Sequence, residues 1–196
     1  MVQNDQKTAW ILDAALPVFI RYGFRKTSMA DIAQAAGISR ASLYLAFSNK
    51  EQLFRAGSAR AHAKAMDEVG LALSGEGDVV ARIEAAITAF QSSLIAPFGG
   101  SAEAAELFTA NMALAEDITL DTRARLLEQL ASHLSKAAQN GEINLSNVGA
   151  GPKDLADMIV SAMDGIKHVR GAGAALEDGM RLFMRILRAA TMPDRN

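Results

Sequence analysis

The sequence predicts an all-α protein, and three observations indicate this fold class. Half of the 196 residues are hydrophobic but only 6% are aromatic, so small and aliphatic side chains that favour helices dominate the composition. Apolar residues recur at intervals of three and four along nearly the whole chain, which is the spacing of one helix face. An alternating strand pattern extends no further than Ile143–Leu145.

The first helix is predicted from Lys7 to Tyr22. Its apolar residues fall on one stripe, as expected for a helix that packs on a core. Gly23 follows as a helix stop, because glycine adopts the left-handed backbone conformation that commonly ends helices. The predicted buried residues are Ile11, Ala15, Val18, Phe19 and Tyr22.

Two short helices follow. The first begins after Thr27 or Ser28, either of which is a good N-cap, and ends near Ala36. The second runs from Arg40 to Phe47 and is capped by Ser39. We expect Met29, Ile32, Ala33, Leu43 and Phe47 to form the buried faces of this helix pair.

The rest of the chain is also helical in pattern. Ser48 with Glu51 predicts a capping box for a fourth helix that has no evident stop before Gly70. Further helices are predicted at residues 78–96, 101–114, 119–139, 152–170 and 174–191, about nine helices in all. They are separated by Ser74–Gly77, Pro97–Gly100, Glu116–Ile118, Gly141–Gly151 and Gly171–Gly173.

The helix pair has the form of a helix-turn-helix. Gly37 supplies the positive φ of the turn, and Ser39 caps the second helix. Its outward face, which includes Tyr44, is then free for a DNA major groove. Arg40 could contact a guanine, and Ala41 or Ser42 could reach a base edge or a thymine methyl group. An ordinary helical hairpin is the alternative for the turn taken alone.

Charge is distributed in a way that suits DNA binding at one end of the chain. Residues 1–55 carry seven Lys or Arg against four acids, whereas the remainder carries 13 against 18. A basic segment on an acidic body fits a chain that meets a polyanion with one region only. The positive charge of Lys50 is unfavourable in the first turn of a helix, because the helix dipole is positive at that end. A nearby phosphate would explain its placement.

The continuous pattern from residue 11 to residue 53 resembles the N-terminal domain of the TetR family of repressors. The resemblance rests on Ile11–Ala15, Phe19, Tyr22–Phe24, Thr27–Ala33, Ala36–Ser39, Leu43–Tyr44, Phe47 and Asn49–Leu53. It implies a DNA-binding domain at residues 7–53, with three helices that form the helix-turn-helix. A larger effector-binding and dimerisation domain would follow at residues 54–196.

The resemblance also implies roles for individual residues. Thr27, Ser28, Tyr44 and Lys50 would contact phosphates, and Arg40, Ala41, Ser42 and Leu45 would face bases. Two departures leave the operator sequence open. Ala46 stands where the family often has histidine, and Leu45 stands where it often has a larger or polar residue.

The last two predicted helices are apolar on more than one side and therefore need cover on more than one side. One side can face the chain's own core and the other a second subunit, as in TetR-like dimers; an internal core alone is the alternative. The predicted dimer residues are Leu155, Met158, Ile159, Ala162, Ile166, Val169, Met180, Phe183 and Leu187.

The middle helices of the family usually enclose an effector pocket. Candidate lining residues are Met66, Phe90, Leu94, Phe108, Met112, Leu127 and Met163, although core packing explains any one of them more simply. The scarcity of charge across residues 83–115 favours an apolar effector.

Signals for an enzyme are absent from the sequence. His62, His133 and His168 are not at metal-ligand spacing, and no serine-elbow, Walker or His-Glu-x-x-His motif occurs. We therefore expect no cofactor and no metal. No apolar run is long enough to cross a membrane, and the lack of cysteine together with a polar N-terminus predicts a cytoplasmic protein.

The leading hypothesis is a dimeric regulator, most simply a repressor. It would bind a pseudo-palindromic operator through its third helix and be released by a small apolar effector. The alternative is a helical ligand-binding or scaffold protein whose N-terminal module no longer reads DNA.

Overall fold

The computed structural model describes residues 2–94, 102–171 and 173–193, and within these ranges the secondary structure is helical, with no strand. The helices are α1 (Val2–Lys26), α2 (Met29–Ala35), α3 (Arg40–Ala46), α4 (Lys50–Leu73), α5 (Val79–Leu94), α6 (Ala102–Leu114), α7 (Glu116–Gln139), α8 (Pro152–Arg170) and α9 (Ala174–Thr191), with a 3₁₀ turn at Ser146–Val148. The all-α prediction is confirmed. The predicted separator Pro97–Gly100 and residue Ala172 of the separator Gly171–Gly173 lie outside the described residues.

The chain divides into two compact units. Unit 1 comprises the described parts of residues 1–62 and 100–119, which contain α1 to α3, the first half of α4 and α6. Its core includes Phe19, whose ring meets those of Phe24 and Phe54 at centroid distances of 6.0 and 5.4 Å. The other large buried side chains of this unit are Ile11, Leu12, Met29, Ile32, Leu43, Phe47, Leu53 and Leu107.

A break at Gly23 ends the regular part of α1. Gly23 has a φ of 76° and a ψ of 167°, and the chain returns to helical geometry only as far as Lys26. A Cβ at this position would lie 2.6 Å from a carboxylate oxygen of Glu106. That carboxylate instead accepts a hydrogen bond from the backbone N–H of Arg25 at 2.6 Å. Glycine is therefore favoured here by its backbone conformation, whereas the flexible end of the Glu106 side chain could move away from a Cβ.

The first helix begins at Val2 rather than at the predicted Lys7, and Val18, which was predicted to be buried, is half-buried. Ile11, Ala15 and Phe19 are buried, but Tyr22 is 44% exposed. The Tyr22 ring instead lies beneath the guanidinium of Arg21, 5.2 Å from the ring centroid. The face that packs on the core ends before Gly23, so the last aromatic residue of the stripe is left uncovered.

Unit 2 comprises the described parts of residues 63–99 and 120–196. It is an assembly of helices around a core of aliphatic and methionine side chains, with Ile83, Ile87, Leu126, Leu130, Leu134 and Ile159 fully buried. Arg188 on α9 pairs with Asp78 just before α5, and Arg82 pairs with Glu142. The guanidinium of Arg188 lowers the pKa of the Asp78 carboxyl from its ordinary value.

The predicted boundary between α6 and α7 is wrong. Glu116–Ile118 was predicted as a separator, but α7 begins at Glu116 and only Ala115 lies between α6 and α7. Acidic residues favour the first turn of a helix, and Asp117 is further fixed by Arg55 of the same unit, with N–O distances of 2.7 and 2.8 Å. The predicted division into domains at residues 53 and 54 stays a prediction.

The start of α4 also differs from the predicted capping box. The side chain of Asn49, not Ser48, accepts the hydrogen bond from the backbone N–H of Gln52, at 2.7 Å. The side-chain oxygen of Gln52 in turn accepts from the backbone N–H and the hydroxyl of Ser48. The helix begins one residue later than predicted, so Gln52 rather than Glu51 occupies the third helical position.

Across the described residues, no helix combines the length and the apolar character that a membrane span needs.

Candidate nucleic-acid interface

The start of α2 is fixed by a reciprocal cap. The Ser28 hydroxyl accepts from the backbone N–H of Asp31 at 3.3 Å, and the Asp31 carboxylate accepts from the backbone N–H of Ser28 at 2.9 Å. The same carboxylate accepts from the Ser28 hydroxyl at 2.6 Å. These bonds, led by the side-chain one, lower the pKa of Asp31. The cap sets where the exposed start of α2 lies.

The turn between α2 and α3 has the predicted geometry. Gly37 has a φ of 64°, and the backbone N–H of Ile38 donates to the carbonyl of Ala33 at 3.0 Å, which closes the end of α2. The indole N–H of Trp10 on α1 donates to the carbonyl of Ala36 at 2.9 Å. This last contact was not predicted, and it ties the turn to the first helix.

Helix α3 is anchored on one side and open on the other. The Ser39 hydroxyl accepts from the backbone N–H of Ser42 at 3.1 Å, and Leu43 is fully buried beneath the helix. The opposite side carries Leu45, which is 87% exposed, and Tyr44, which is 46% exposed. The buried and capped side fixes the helix, so the open side is held in a defined orientation.

The predicted base-facing residues lie on or beside this open side. Arg40, Ala41 and Leu45 are exposed, and Ser42 is half-buried. Arg40, at the first position of α3, has no hydrogen-bond or ion-pair partner among the described residues. An arginine with its donors unused on an exposed helix start is suited to recognition of a base edge or a phosphate.

Two of the four predicted phosphate contacts have a different role in this structure. The Lys50 ammonium donates to the carbonyls of Phe24 and Thr27, both at 2.8 Å, and to that of Arg25 at 3.3 Å. It also lies 4.4 Å from the centroid of the Phe24 ring. The three N–H groups of the ammonium thus bind carbonyl oxygens at and just after the end of α1. In this structure these oxygens, rather than a phosphate, account for the positive charge of Lys50 at the start of α4.

Thr27 is the second correction. Its side chain is only 2% exposed, and its hydroxyl donates to the carbonyl of Gly23 at 2.7 Å. It stabilises the chain between α1 and α2 from within. Ser28 and Tyr44 are exposed. Lys26, two residues before Ser28, is also exposed but was not among the predicted phosphate contacts. The excess of basic residues in this segment was the signal that could have identified Lys26.

The predicted effector-pocket residues are divided between the two units, and the pocket itself stays a prediction. Met66 and Met163 are buried in the core of unit 2, with Phe90 and Leu127 packed against it. Leu94 is half-buried in the same unit, whereas half-buried Phe108 and 49% exposed Met112 belong to unit 1. Neither of the two cavities found in unit 2 is lined by any of these seven residues.

The predicted dimer residues divide into buried and exposed groups. Leu155, Ile159, Met180 and Leu187 are buried in the core of their own unit, with Ile166 and Phe183 packed against it. The first four are therefore internal to their unit in this structure, whereas Ile166 and Phe183 are only half-buried, and the dimer interface stays a prediction. Periodicity did not separate these groups, because α8 and α9 are apolar on more than one side. Ala162 is half-buried. Met158 is 59% and Val169 81% exposed, alongside Leu182 at 44% and Ile186 at 59%; we call these four residues the exposed α8–α9 stripe.

Comparison with known proteins identifies the N-terminal segment. Residues 11–56 match the family described as bacterial regulatory proteins, tetR family. The chain is 47% identical over 52 residues to the uncharacterized HTH-type transcriptional regulator YfiR of Bacillus subtilis (strain 168), covering 26% of this chain and 25% of that protein. It is 47% identical over 45 residues to the HTH-type transcriptional repressor ComR of Escherichia coli (strain K12), covering 23% of this chain and 21% of that protein. These matches thus span about a quarter of the curated relatives' length.

Solved structures are similar over nearly the whole chain. A TetR-family transcriptional regulator from Pectobacterium atrosepticum has a TM-score of 0.73 at 19% identity, covering 100% of this chain and 99% of that one. SmeT, the repressor of the Stenotrophomonas maltophilia multidrug efflux pump SmeDEF, has a TM-score of 0.64 at 22% identity, covering 95% and 91%. A SmeT–triclosan complex has a TM-score of 0.69 at 23% identity, covering 96% and 93%. At these identities the likeness concerns the fold.

Proposed function

We propose that this chain, which belongs to the TetR family of bacterial regulatory proteins through its N-terminal domain, is a transcription regulator that binds operator DNA through α3. The observation that carries the proposal is the open side of α3. Arg40, Ala41 and Leu45 are exposed there, while the buried side chain of Leu43 and the Ser39 cap hold the helix from the other side. Nothing in this arrangement points to catalysis, and the family is not an enzyme family.

Sequence recognition is assigned to the residues at the start of α3 and along its open side. In helix-turn-helix proteins the second helix enters the major groove with its N-terminal residues near base edges. Arg40 supplies the bidentate donors that suit guanine, and the methyl of Ala41 suits thymine. Ser42 supplies a hydroxyl and Leu45 an apolar contact.

Backbone contacts are assigned to Ser28, Tyr44 and Lys26, which are exposed around the helix pair. Such contacts fix register and orientation but carry no sequence information. Thr27 and Lys50 support them indirectly, since their internal hydrogen bonds set the path of the chain that leads into α2.

We further propose a homodimer formed through the exposed α8–α9 stripe. Four large apolar side chains on two neighbouring helices are a surface that a second copy can cover in a two-fold arrangement. Such a dimer would present two copies of α3 to half-sites about 34–36 Å apart, which predicts a pseudo-palindromic operator.

Repression and release by a small molecule complete the proposal. ComR and SmeT are named as repressors, and SmeT has been crystallised with triclosan. A ligand that binds better to a form with unsuitable spacing of the two DNA-binding domains would weaken operator binding by a coupling of about 1–3 kcal/mol.

The test is a gel-shift titration of the full chain against the DNA upstream of its own gene at several salt concentrations. We expect binding that weakens steeply with salt and loses roughly 1–3 kcal/mol in Arg40→Ala at one operator position. Arg125→Ala is the matched control, because Arg125 is an exposed arginine of α7. Absent or salt-insensitive binding, or an Arg40→Ala chain that binds like the parent, would favour a helical scaffold over a DNA-binding regulator.

A further inference from the structure

A cavity of about 130 Å³ lies between α5 and α9 of unit 2. Each helix contributes four residues at the spacing of one helix face, so two matching stripes face each other across it. The lining residues are Glu84, Ile87, Thr88 and Gln91 from α5, and Glu177, Met180, Arg181 and Met184 from α9. None of them belongs to the pocket predicted from the sequence.

The floor of this cavity is apolar. Ile87 is 1%, Met180 5% and Met184 2% exposed. Methionine side chains are flexible and polarizable, so a floor that contains two of them can adapt to the shape of an apolar group. The floor therefore fits the hydrocarbon part of a small organic molecule.

One polar group within the floor lacks a partner. Gln91 is 93% buried, given its 7% exposure, and its side-chain Nε2 makes no hydrogen bond to any described residue. The nearby Thr88 hydroxyl does not serve it, because that hydroxyl donates to the carbonyl of Glu84 at 2.8 Å. A buried donor without an acceptor costs roughly 1–3 kcal/mol. The Nε2 atom is itself sealed from the cavity, so a ligand that brings an acceptor oxygen to Gln91 would recover that free energy once the Gln91 amide turns toward it.

The rim of the cavity is negatively charged on balance. Arg181 donates to Asp178 at 2.5 Å, and the neighbouring Arg188 is held by Asp78. Both arginines are thus neutralised by aspartates, whereas Glu84 and Glu177 form no salt bridge among the described residues. Asp178 raises the pKa of Arg181, with smaller contributions from Glu177 and Glu84, so these carboxylates act on the same rim. The rim thus carries the three carboxylates of Glu84, Glu177 and Asp178 against the one guanidinium of Arg181, and this excess of negative charge favours a cation.

We propose that the α5–α9 cavity binds a small organic amine that also carries a hydrogen-bond-accepting oxygen. The ammonium group lies at the rim near Glu84 and Glu177, the hydrocarbon part contacts Ile87, Met180 and Met184, and the oxygen accepts from Gln91. The cavity holds about ten non-hydrogen atoms, if one water-sized probe takes about 10–15 Å³. This differs from the apolar effector expected from the sequence, and its role as an effector site rests on the proposed function.

The test uses three matched probes with the full chain in the absence of DNA: aminohexanol, hexylamine and hydroxyhexanoate. The readout is methionine-methyl NMR, with Met180 and Met184 reporting on the cavity and Met158, in the exposed α8–α9 stripe, as an internal control. We expect aminohexanol to shift Met180 and Met184 and to bind roughly fivefold more tightly than hexylamine, because hexylamine has no oxygen that can accept from Gln91. Hydroxyhexanoate, with reversed charge, should not bind.

Substitutions distinguish the hydrogen bond to Gln91 from the ionic contacts to Glu84 and Glu177. Gln91→Leu should remove the difference between aminohexanol and hexylamine and should raise the melting temperature of the free chain, since an unpaired buried group is removed. Gln91→Met serves the same purpose if the leucine variant folds poorly. Glu84→Gln combined with Glu177→Gln should weaken both amines, whereas Glu128→Gln on α7, an exposed acid outside the cavity, should leave both unchanged.

Three results would overturn the proposal. They are equal binding of hydroxyhexanoate and aminohexanol, methyl shifts at Met158 but not at Met180 and Met184, and an unchanged aminohexanol preference in Gln91→Leu. All are measured without DNA, so they leave the assignment of α3 untouched. Failure of Arg40→Ala to alter operator binding, in turn, says nothing against the cavity.

Discussion

Helix α3 and helix α9 both expose large apolar side chains, but they do so in different settings. Helix α3 has seven residues, one of which is buried, and Leu45 lies on its open side beside Arg40. Helix α9 has 18 residues and buries six, yet Leu182 and Ile186 are exposed on another side. Arginine and serine around Leu45 suit a polyanion. Leu182 and Ile186 are exposed on a helix that neighbours α8, on which Met158 and Val169 are also exposed, and such a set of apolar residues suits a protein partner.

The difference shows that exposure of an apolar residue has meaning only together with its neighbours. On α3 a single exposed leucine lies near Arg40, Ala41 and Tyr44, and one exposed aliphatic residue is ordinary on a protein surface. On α8 and α9 four exposed residues recur along two adjacent helices. The predictions that follow test this distinction, beginning with the largest expected effect.

The first prediction contrasts the two sides of α3. Leu43→Ala should lower the free energy of unfolding by roughly 2–5 kcal/mol, because Leu43 is fully buried and its truncation leaves a cavity. Leu45→Ala should leave stability unchanged and alter only operator affinity. Chemical denaturation followed through Trp10, the single tryptophan, measures both. Equal destabilisation by the two substitutions would mean that the orientation of α3 is wrong.

The second prediction concerns the exposed α8–α9 stripe. Ile186→Asp should weaken self-association by about 2–4 kcal/mol, as expected for a charge placed at the centre of an apolar interface. Leu120→Asp is the matched control, since Leu120 on α7 is 56% exposed and Ile186 is 59% exposed. Sedimentation equilibrium gives both dissociation constants. Similar weakening by the two variants, or by neither, would exclude this stripe as the interface.

These two regions also show what the sequence can predict. Caps at Ser28 and Ser39, a glycine at the turn and a single apolar stripe orient α3 without ambiguity, so its buried and open sides were predicted correctly. On α8 and α9 the apolar residues cover more than one side. Which of them pack inward depends on contacts with helices distant in sequence, and local periodicity does not contain that information.

The role of Lys50 shows a second limit. The positive charge of Lys50 at a helix start led to the prediction of a nearby phosphate, but in the folded chain its ammonium donates to carbonyl oxygens. The acceptors are the carbonyls of Phe24, Arg25 and Thr27, which come close only because Gly23 interrupts α1. A sequence pattern can therefore report that a group needs a partner without identifying the partner. The same holds for Gln91, whose burial became visible only in the folded chain.

The third prediction tests whether Lys50 binds backbone carbonyls within the chain rather than a DNA phosphate. Lys50→Met keeps the length of the side chain but removes its hydrogen bonds to three carbonyls, and bonds of charged groups contribute about 1.5–3 kcal/mol. The variant should therefore be less stable without DNA, as measured by chemical denaturation. Lys26→Met is the control: stability should be unchanged, and the salt dependence of operator binding should fall by about one ion per subunit. The reverse pattern would restore Lys50 as the phosphate contact.

The fourth and smallest prediction concerns the cap that sets the start of α2. Ser28→Ala should destabilise the chain by about 1 kcal/mol at neutral pH, because the first turn of α2 loses a side-chain acceptor.

The destabilisation caused by Ser28→Ala should also depend on pH. The pKa of Asp31 lies below its ordinary 3.8 in the folded chain, so the unfolded chain takes up a proton at Asp31 first as pH falls. The stability that Asp31 contributes is thus complete above pH 3.8 and is lost as pH falls through its lowered pKa. Because Ser28 is the main cause of that shift, the melting temperatures of Ser28→Ala and the parent should converge on acidification. A difference that stays constant from neutral pH to below 3.8 would show that the serine stabilises α2 independently of the Asp31 charge.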